Sequence, residues 1–140
     1  MALHNKKQLA LEQLNCACEL YLVGEYVSAI SLGGCSEGLA EEIINANGEK
    51  PGSDWTIRFI RFLRVRSGKC TPSNKEIMQE VNWVKNSLKH HGKNDPIDID
   101  FDAKFSSFLV IKRAIENIQR LGFELTPKIV EFNRSTALYG

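Results

Sequence analysis

Three glycines, Gly33, Gly34 and Gly38, lie within residues 26–46, a segment that also carries the apolar residues of a predicted helix. Each glycine inside a helix costs roughly 1 kcal/mol relative to alanine. The segment is also rich in Ser, Ala and Cys, and small residues let a neighbouring helix approach closely. We therefore predict that residues 26–46 form the central helix of a bundle or one face of a dimer.

The rest of the chain shows similar helical patterning. Helices are predicted over residues 3–23, 26–46, 55–65, 74–90 and 101–121, and a short terminal helix begins at Thr126 and Pro127. In the first helix, Leu11, Leu14 and Cys18 recur at intervals of three and four residues. Residues 94–102 alternate apolar and polar, but no other segment could pair with them as a strand. The sequence predicts an all-α fold: an up-and-down bundle of four to five main helices plus a short C-terminal helix, in a single domain over residues 1–140.

Local signals mark several helix boundaries. Glycine commonly ends a helix, and a glycine follows the first, fourth and fifth predicted helices: Gly24, Gly92 and Gly122. Ser53 or Asp54 is predicted to cap the third helix. Ser73, followed three residues later by Glu76, has the capping-box pattern that begins a helix.

The overall charge does not indicate a polyanionic partner. Lys and Arg number 18 and Asp and Glu number 17, which leaves a formal charge of +1. Any contact with nucleic acid or an anionic membrane therefore requires a local patch. A secretion signal needs a continuous apolar stretch, and charged residues break up any such stretch within residues 1–14. No run of apolar residues reaches the roughly 18 that are needed to cross a bilayer. We expect a cytoplasmic protein with no membrane partner and no cofactor.

The cysteines do not form a metal-binding pattern. The chain has four of them: Cys16, Cys18, Cys35 and Cys70. Cys16 and Cys18 would lie about 200° apart around a helix, so they cannot hold one metal ion together. No spacing matches a zinc site. We predict no metal site and expect the cysteines to be buried as small apolar residues.

The third predicted helix has one basic side, formed by Arg58, Arg61 and Arg64 and called the arginine stripe below. Relative to the first arginine, the other two project at about 300° and 240°. The apolar residues fall between about 40° and 200°: Trp55, Phe59, Ile60, Phe62 and Leu63. Arginines in this arrangement can follow a phosphate backbone, which makes them candidate binding residues. The alternative is an ordinary charged surface that pairs with acidic neighbours.

An acidic connection precedes the fifth helix. It contains four aspartates: Asp95, Asp98, Asp100 and Asp102. The run lacks the glycine and the terminal glutamate of a calcium-binding loop. We interpret it as a solvated linker or as the partner of the arginine stripe.

The polar residues Lys85, Asn86 and His90 form the most informative group in the sequence. Asn86 and His90 are four residues apart and share a helix face. Histidine exchanges protons near neutral pH, and a position in the last helical turn favours its cationic form. The amide and the lysine add hydrogen-bond donors for an anion. The alternative is a histidine that only ends the helix before Gly92.

The spacing from Lys85 and Asn86 to His90 resembles the HEPN superfamily motif, in which an arginine and a polar residue precede a histidine late in a small helical bundle. The phrase NWVKNSLKHHG is similar to a bacterial HEPN-like group, as is a small-residue helix upstream that carries Glu37. The resemblance covers most of residues 10–122. It implies a bundle of four or five helices that forms a homodimer through its central helices, with Glu37 as a further candidate binding residue.

Active HEPN proteins are metal-independent ribonucleases. The resemblance implies that His90 is a general acid and base, Lys85 a phosphate clamp and Asn86 an orienting amide. The chain departs from the motif because lysine replaces arginine, which removes the planar fork that binds phosphate through two hydrogen bonds. Lys85 and His90 would also project about 140° apart on a straight helix.

Three hypotheses for function follow. The first is a HEPN-like dimeric module with a degenerate site that binds RNA, a nucleotide or a protein partner of unknown identity, for example in defence or toxin–antitoxin systems. The second is an active RNA endonuclease that uses His90. The third is a helical protein–protein adaptor with no nucleic-acid role.

Overall fold

The fold is all-α. The computed structural model describes residues 1–52, 54–69 and 73–137. The helices in these ranges are α1 Lys6–Leu22, α2 Tyr26–Ala46, α3 Asp54–Arg66, α4 Asn74–Ser87, α5 Ala103–Arg120 and α6 Pro127–Ser135. None of these helices combines the length and the apolar character needed to cross a membrane. The predicted helical bundle with a short C-terminal helix is confirmed.

The core is built around α5, which lies against α1 and α2. Phe108, Ile111 and Ile118 of α5 are almost completely buried, as are Leu14 of α1 and Phe132 of α6. Full burial of each such side chain stabilises the fold by about 1.5–3 kcal/mol. α3 and α4 have fewer contacts with the rest of the bundle.

The glycines of α2 differ in what surrounds them. A Cβ atom at Gly33 would lie 3.2 Å from Val110 Cγ1 on α5, and one at Gly34 would lie 2.8 Å from Lys85 Cδ on α4. A Cβ at Gly38 would have no neighbour within 4 Å among the described residues. The predicted close packing within the bundle is confirmed at Gly33 and Gly34, whereas Gly38 has no such contact within the described chain and its role at a dimer face stays a prediction.

Most predicted boundaries agree with the structure. Gly24 and Gly122 follow α1 and α5 with φ of +86° and +96°, a conformation that glycine adopts without a steric penalty. Ser73 caps α4, and its hydroxyl accepts a hydrogen bond from the Glu76 amide at 3.3 Å. The predicted cap at Ser53 lies outside the described residues, and α3 begins at Asp54.

The predicted end of α4 near His90 is wrong, because the helix ends at Ser87. The Lys89 amide donates to the Asn86 carbonyl three residues back at 3.1 Å, a pattern that tightens and terminates a helix. The Gly92 amide instead donates to the Asp95 carboxylate at 2.6 Å. Gly92 therefore belongs to the following turn.

Two expectations about burial are also corrected. Cys18 is buried, but Cys16 and Cys35 are exposed because they lie on outward sides of α1 and α2; Cys70 lies outside the described residues. Phe62 of α3 is 55% exposed because it stands at the edge of the apolar side. The Arg66 guanidinium covers its ring at 5.8 Å from the centroid.

Candidate functional site

A buried carboxylate connects three helices. Glu37 of α2 has no exposed surface. Its Oε2 lies 2.8 Å from Lys85 Nζ of α4, and its Oε1 lies 2.5 Å from Arg113 Nη2 of α5. Both cationic side chains are also largely buried. Since an unpaired ion is costly in the protein interior, the charges hold α2, α4 and α5 in one arrangement.

Asparagine side chains extend this buried polar network. Asn117, one turn after Arg113, donates from Nδ2 to the Glu37 carbonyl at 3.2 Å and accepts from the Gly52 amide at 2.7 Å. Arg113 also donates from Nη1 to Asn82 Oδ1 at 2.7 Å. The network therefore ties the loop before α3 and the middle of α4 to the buried side of α5.

Gly34 explains how Lys85 reaches its partner. The missing side chain at Gly34 leaves room for the lysine stem, whose Cγ and Cδ atoms would lie 2.9 and 2.8 Å from a Cβ there. Gly34 and Glu37 are three residues apart on α2 and therefore share a face. Lys85, expected from the resemblance to clamp a phosphate, points into the bundle and pairs with Glu37.

His90 and Asn86 lie together elsewhere on the protein. They line a depression of about 190 Å³ between the end of α4 and the acidic connection. Its other lining residues are Trp83, Ser87, His91, Asp95, Pro96 and Ile99. Trp83 is 47% exposed. The structure thus brings together two of the three residues of the predicted site and directs the lysine away from them.

Two residues of the arginine stripe contact α4. Arg61 Nη2 donates to Asn74 Oδ1 at 2.5 Å, and Arg64 Nη2 donates to Glu80 Oε2 at 2.5 Å. Arg64 thus pairs with an acidic neighbour, as the alternative interpretation expects, whereas the partner of Arg61 is a neutral amide. Their partners lie on α4 rather than in the acidic connection.

Arg58 has a different environment. It is exposed and lines an open hollow of about 560 Å³ between α3 and α5. Trp55, Glu116, Gln119 and Arg120 complete the lining. Within the arginine stripe, Arg58 therefore lines a hollow, whereas Arg61 and Arg64 contact α4.

The acidic connection acts locally. Asp102 caps α5 by accepting from the Phe105 amide at 2.9 Å, and Asp95 binds the Gly92 amide. Among the described residues, His, Cys, Asp and Glu side chains form no group of three or more that could hold a metal ion. Asp95 and Asp102 therefore satisfy backbone groups, the first at a turn and the second at a helix start.

Sequence reasoning missed Arg113 and Asn117. Both lie on α5 among buried residues such as Ile111, Ala114 and Ile118. A charged residue and an amide four positions apart inside an apolar stripe share one helix face, and buried polar groups require partners. That pattern was available in the sequence, and it indicates a buried network.

No family model, curated protein or solved structure matches this chain.

Proposed function

We propose that this chain is a HEPN-like, homodimeric helical module that binds single-stranded RNA or a nucleotide without cleaving it. The observation that carries the proposal is the depression lined by Trp83, Asn86, His90 and His91. Single-stranded bases are commonly bound by stacking on aromatic or histidine side chains and by hydrogen bonds to their edges. The depression offers an indole, two imidazoles and an amide for these contacts.

The position of Lys85 argues for binding rather than cleavage. In the HEPN-type reaction, a cationic side chain must contact the same phosphate at which the histidine transfers protons. The Lys85 ammonium instead pairs with Glu37 at 2.8 Å, and its side chain is only 12% exposed. Releasing it toward a ligand would leave the Glu37 carboxylate with one cationic partner fewer in the protein interior, which is unfavourable.

RNA binding tests the proposal directly. Fluorescence anisotropy with a labelled single-stranded RNA, in buffer with EDTA, should show saturable binding by a dimer whose mass is measured in parallel. Trp83→Ala should weaken binding by about 1–3 kcal/mol, the contribution of one base stacked on an aromatic ring. Gln79→Ala, an exposed position of α4 outside the depression, is the matched control. Equal affinity of the wild type and Trp83→Ala would contradict the proposed site.

A ribonuclease is the second candidate, and the closeness of His90 to Asn86 favours it. RNA cleavage that persists in EDTA and disappears in a folded His90→Ala variant would establish this function. Lys85→Met separates the two candidates further. Under conditions where circular dichroism shows this variant to be folded, a binding module should retain its RNA affinity, whereas a nuclease that uses Lys85 as its clamp should bind RNA but lose turnover.

The adaptor hypothesis is supported by the intramolecular contacts of Arg61 and Arg64. These contacts occupy two arginines that would otherwise face a phosphate backbone. Absence of RNA binding at low salt, where electrostatic binding is strongest, would favour the adaptor over both other functions.

A further inference from the structure

We propose that Lys112 of α5 forms an imine with a small anionic aldehyde, held in the hollow between α3, α5 and α6. This site lies apart from the depression at the end of α4 and does not depend on the proposed RNA binding.

The amine of Lys112 is held in a defined position. Its Nζ lies 5.0 Å from the centroid of the Trp55 ring and donates to Asn133 Oδ1 at 3.2 Å. It lines a hollow of about 160 Å³ with apolar groups of Ile115 and Leu125. Indole, aliphatic and amide groups therefore surround an amine that most lysines expose to water.

The small hollow shares part of its wall with a larger one. Trp55, Glu116 and Gln119 line both the hollow at Lys112 and the hollow of about 560 Å³ that contains Arg58 and Arg120. The Lys112 amine therefore lines one hollow and the exposed Arg58 guanidinium lines its neighbour, with the Glu116 side chain in the wall that they share. Guanidinium groups bind carboxylate and phosphate oxygens strongly, so a ligand that reaches from Lys112 to Arg58 would carry an anionic group.

The loop before α3 holds the wall of the larger hollow in place. Gly52 is buried, and a Cβ there would lie 2.5 Å from Glu116 Oε2 and 3.0 Å from Arg120 Nε. Arg120 also donates from Nη1 to the Lys50 carbonyl at 2.8 Å, and Glu116 accepts from the Trp55 amide at 3.1 Å. These contacts order the hollow before any ligand binds.

The environment of Lys112 also favours its reactive form. Burial lowers the pKa of the Lys112 ammonium, and the Glu116 carboxylate offsets part of that shift. A lysine with a lowered pKa has a larger neutral fraction at neutral pH, and the neutral amine is the nucleophile.

The reaction is balanced without an oxidant or a reductant. The neutral Nζ attacks the aldehyde carbon, and the carbonyl electron pair moves to oxygen. A proton passes from nitrogen to that oxygen to give the carbinolamine. Loss of water then forms the C=N bond, so one amine and one aldehyde yield one imine and one water.

Site-resolved labelling tests the proposal. The wild-type protein is mixed with one equivalent of pyridoxal 5′-phosphate as the probe, reduced with borohydride and analysed by peptide mass spectrometry. Lys112 should carry most of the adduct. Lys104, an exposed lysine of the same helix, is the internal comparison. An adduct spread evenly over Lys104 and Lys112 would overturn the proposal.

The anionic end of the site has its own test. 5′-Deoxypyridoxal, which lacks the phosphate and also the hydroxyl that would mask the aldehyde as an internal hemiacetal, should label Lys112 about tenfold more slowly, the size expected for one lost charge-assisted hydrogen bond. Arg58→Gln should slow labelling by the phosphorylated probe to a similar degree and leave labelling by 5′-deoxypyridoxal unchanged. Equal rates for the two probes in the wild type would exclude the proposed anion contact.

Discussion

The Lys85 ammonium on α4 lies 2.8 Å from the Glu37 carboxylate on α2, and its side chain crosses α2 at Gly34. This contact uses the residue that the resemblance to HEPN proteins predicted to bind phosphate. Arg113 approaches the same carboxylate from α5. One buried anion therefore serves two cations, and its removal would leave both without their buried counter-charge.

Glu37→Gln should lower the free energy of unfolding by about 3–5 kcal/mol, because it removes the anion from a buried pair and leaves the cations uncompensated. Urea unfolding followed by circular dichroism measures the change. Glu42→Gln is the matched control on the exposed side of α2 and should change stability by less than about 0.5 kcal/mol. Equal stability of the two variants would show that the buried pair contributes little.

Gly34→Ala and Gly38→Ala should change stability in opposite directions. A methyl group at Gly34 would collide with the Lys85 stem, and overpacking of this kind costs about 1–3 kcal/mol. A methyl group at Gly38 meets nothing within 4 Å in the described chain, so the gain in helix propensity should stabilise by about 0.5–1 kcal/mol. Thermal unfolding of both variants measures the difference.

A double-mutant cycle assigns the cost at Gly34 to its cause. In a Lys85→Ala background, Gly34→Ala should lose most of its destabilising effect because the colliding stem is gone. Gly34→Leu should be more disruptive than Gly34→Ala in the wild type. The solution mass of Gly38→Ala gives a separate result. If the wild type is a dimer and this variant is a monomer, the contact between subunits lies on the side of α2 that carries Gly38.

Asn117→Leu should weaken the attachment of the loop before α3 to α5. The Gly52 amide loses the oxygen that it contacts at 2.7 Å, and an unpaired buried donor costs about 1–3 kcal/mol. Hydrogen exchange at Gly52 should accelerate relative to the wild type. Gln119→Leu, exposed on the same helix, should leave that exchange rate unchanged. Unaltered protection of Gly52 in Asn117→Leu would contradict this assignment.

Alkaline pH should destabilise the protein partly through Cys18. Burial raises the pKa of this thiol from 9.0 to about 12. The raised pKa stabilises the folded state fully below about pH 9, and this contribution is lost as the pH rises toward about 12. Cys18→Ala should therefore flatten the decline in unfolding free energy between these values. An equally steep decline in the variant would exclude the thiol as a cause.

Thiol labelling provides an independent check on the same residue. Cys16 and Cys35 are exposed in the folded protein, so both should react with a maleimide under native conditions. Cys18 should react only when the chain unfolds, because it is buried and its thiolate is disfavoured.

The sequence by itself determined the helices, because their signals are local. Residues 26–46 were predicted as one helix, and α2 has those bounds. Gly24, Gly122 and Ser73 act at their boundaries through backbone conformation and short-range hydrogen bonds. Each of these features depends on residues within a turn or two of one another, so their spacing along the chain is sufficient evidence.

Tertiary structure alone decided that Lys85 meets Glu37, which lies 48 residues away in the sequence. Lys85 and Asn86 are adjacent in sequence, yet one pairs with Glu37 inside the bundle and the other lines a depression with His90. That division depends on how α4 is rotated against α2. The rotation is set by the space above Gly34 and by contacts between residues distant in sequence, which no local pattern encodes.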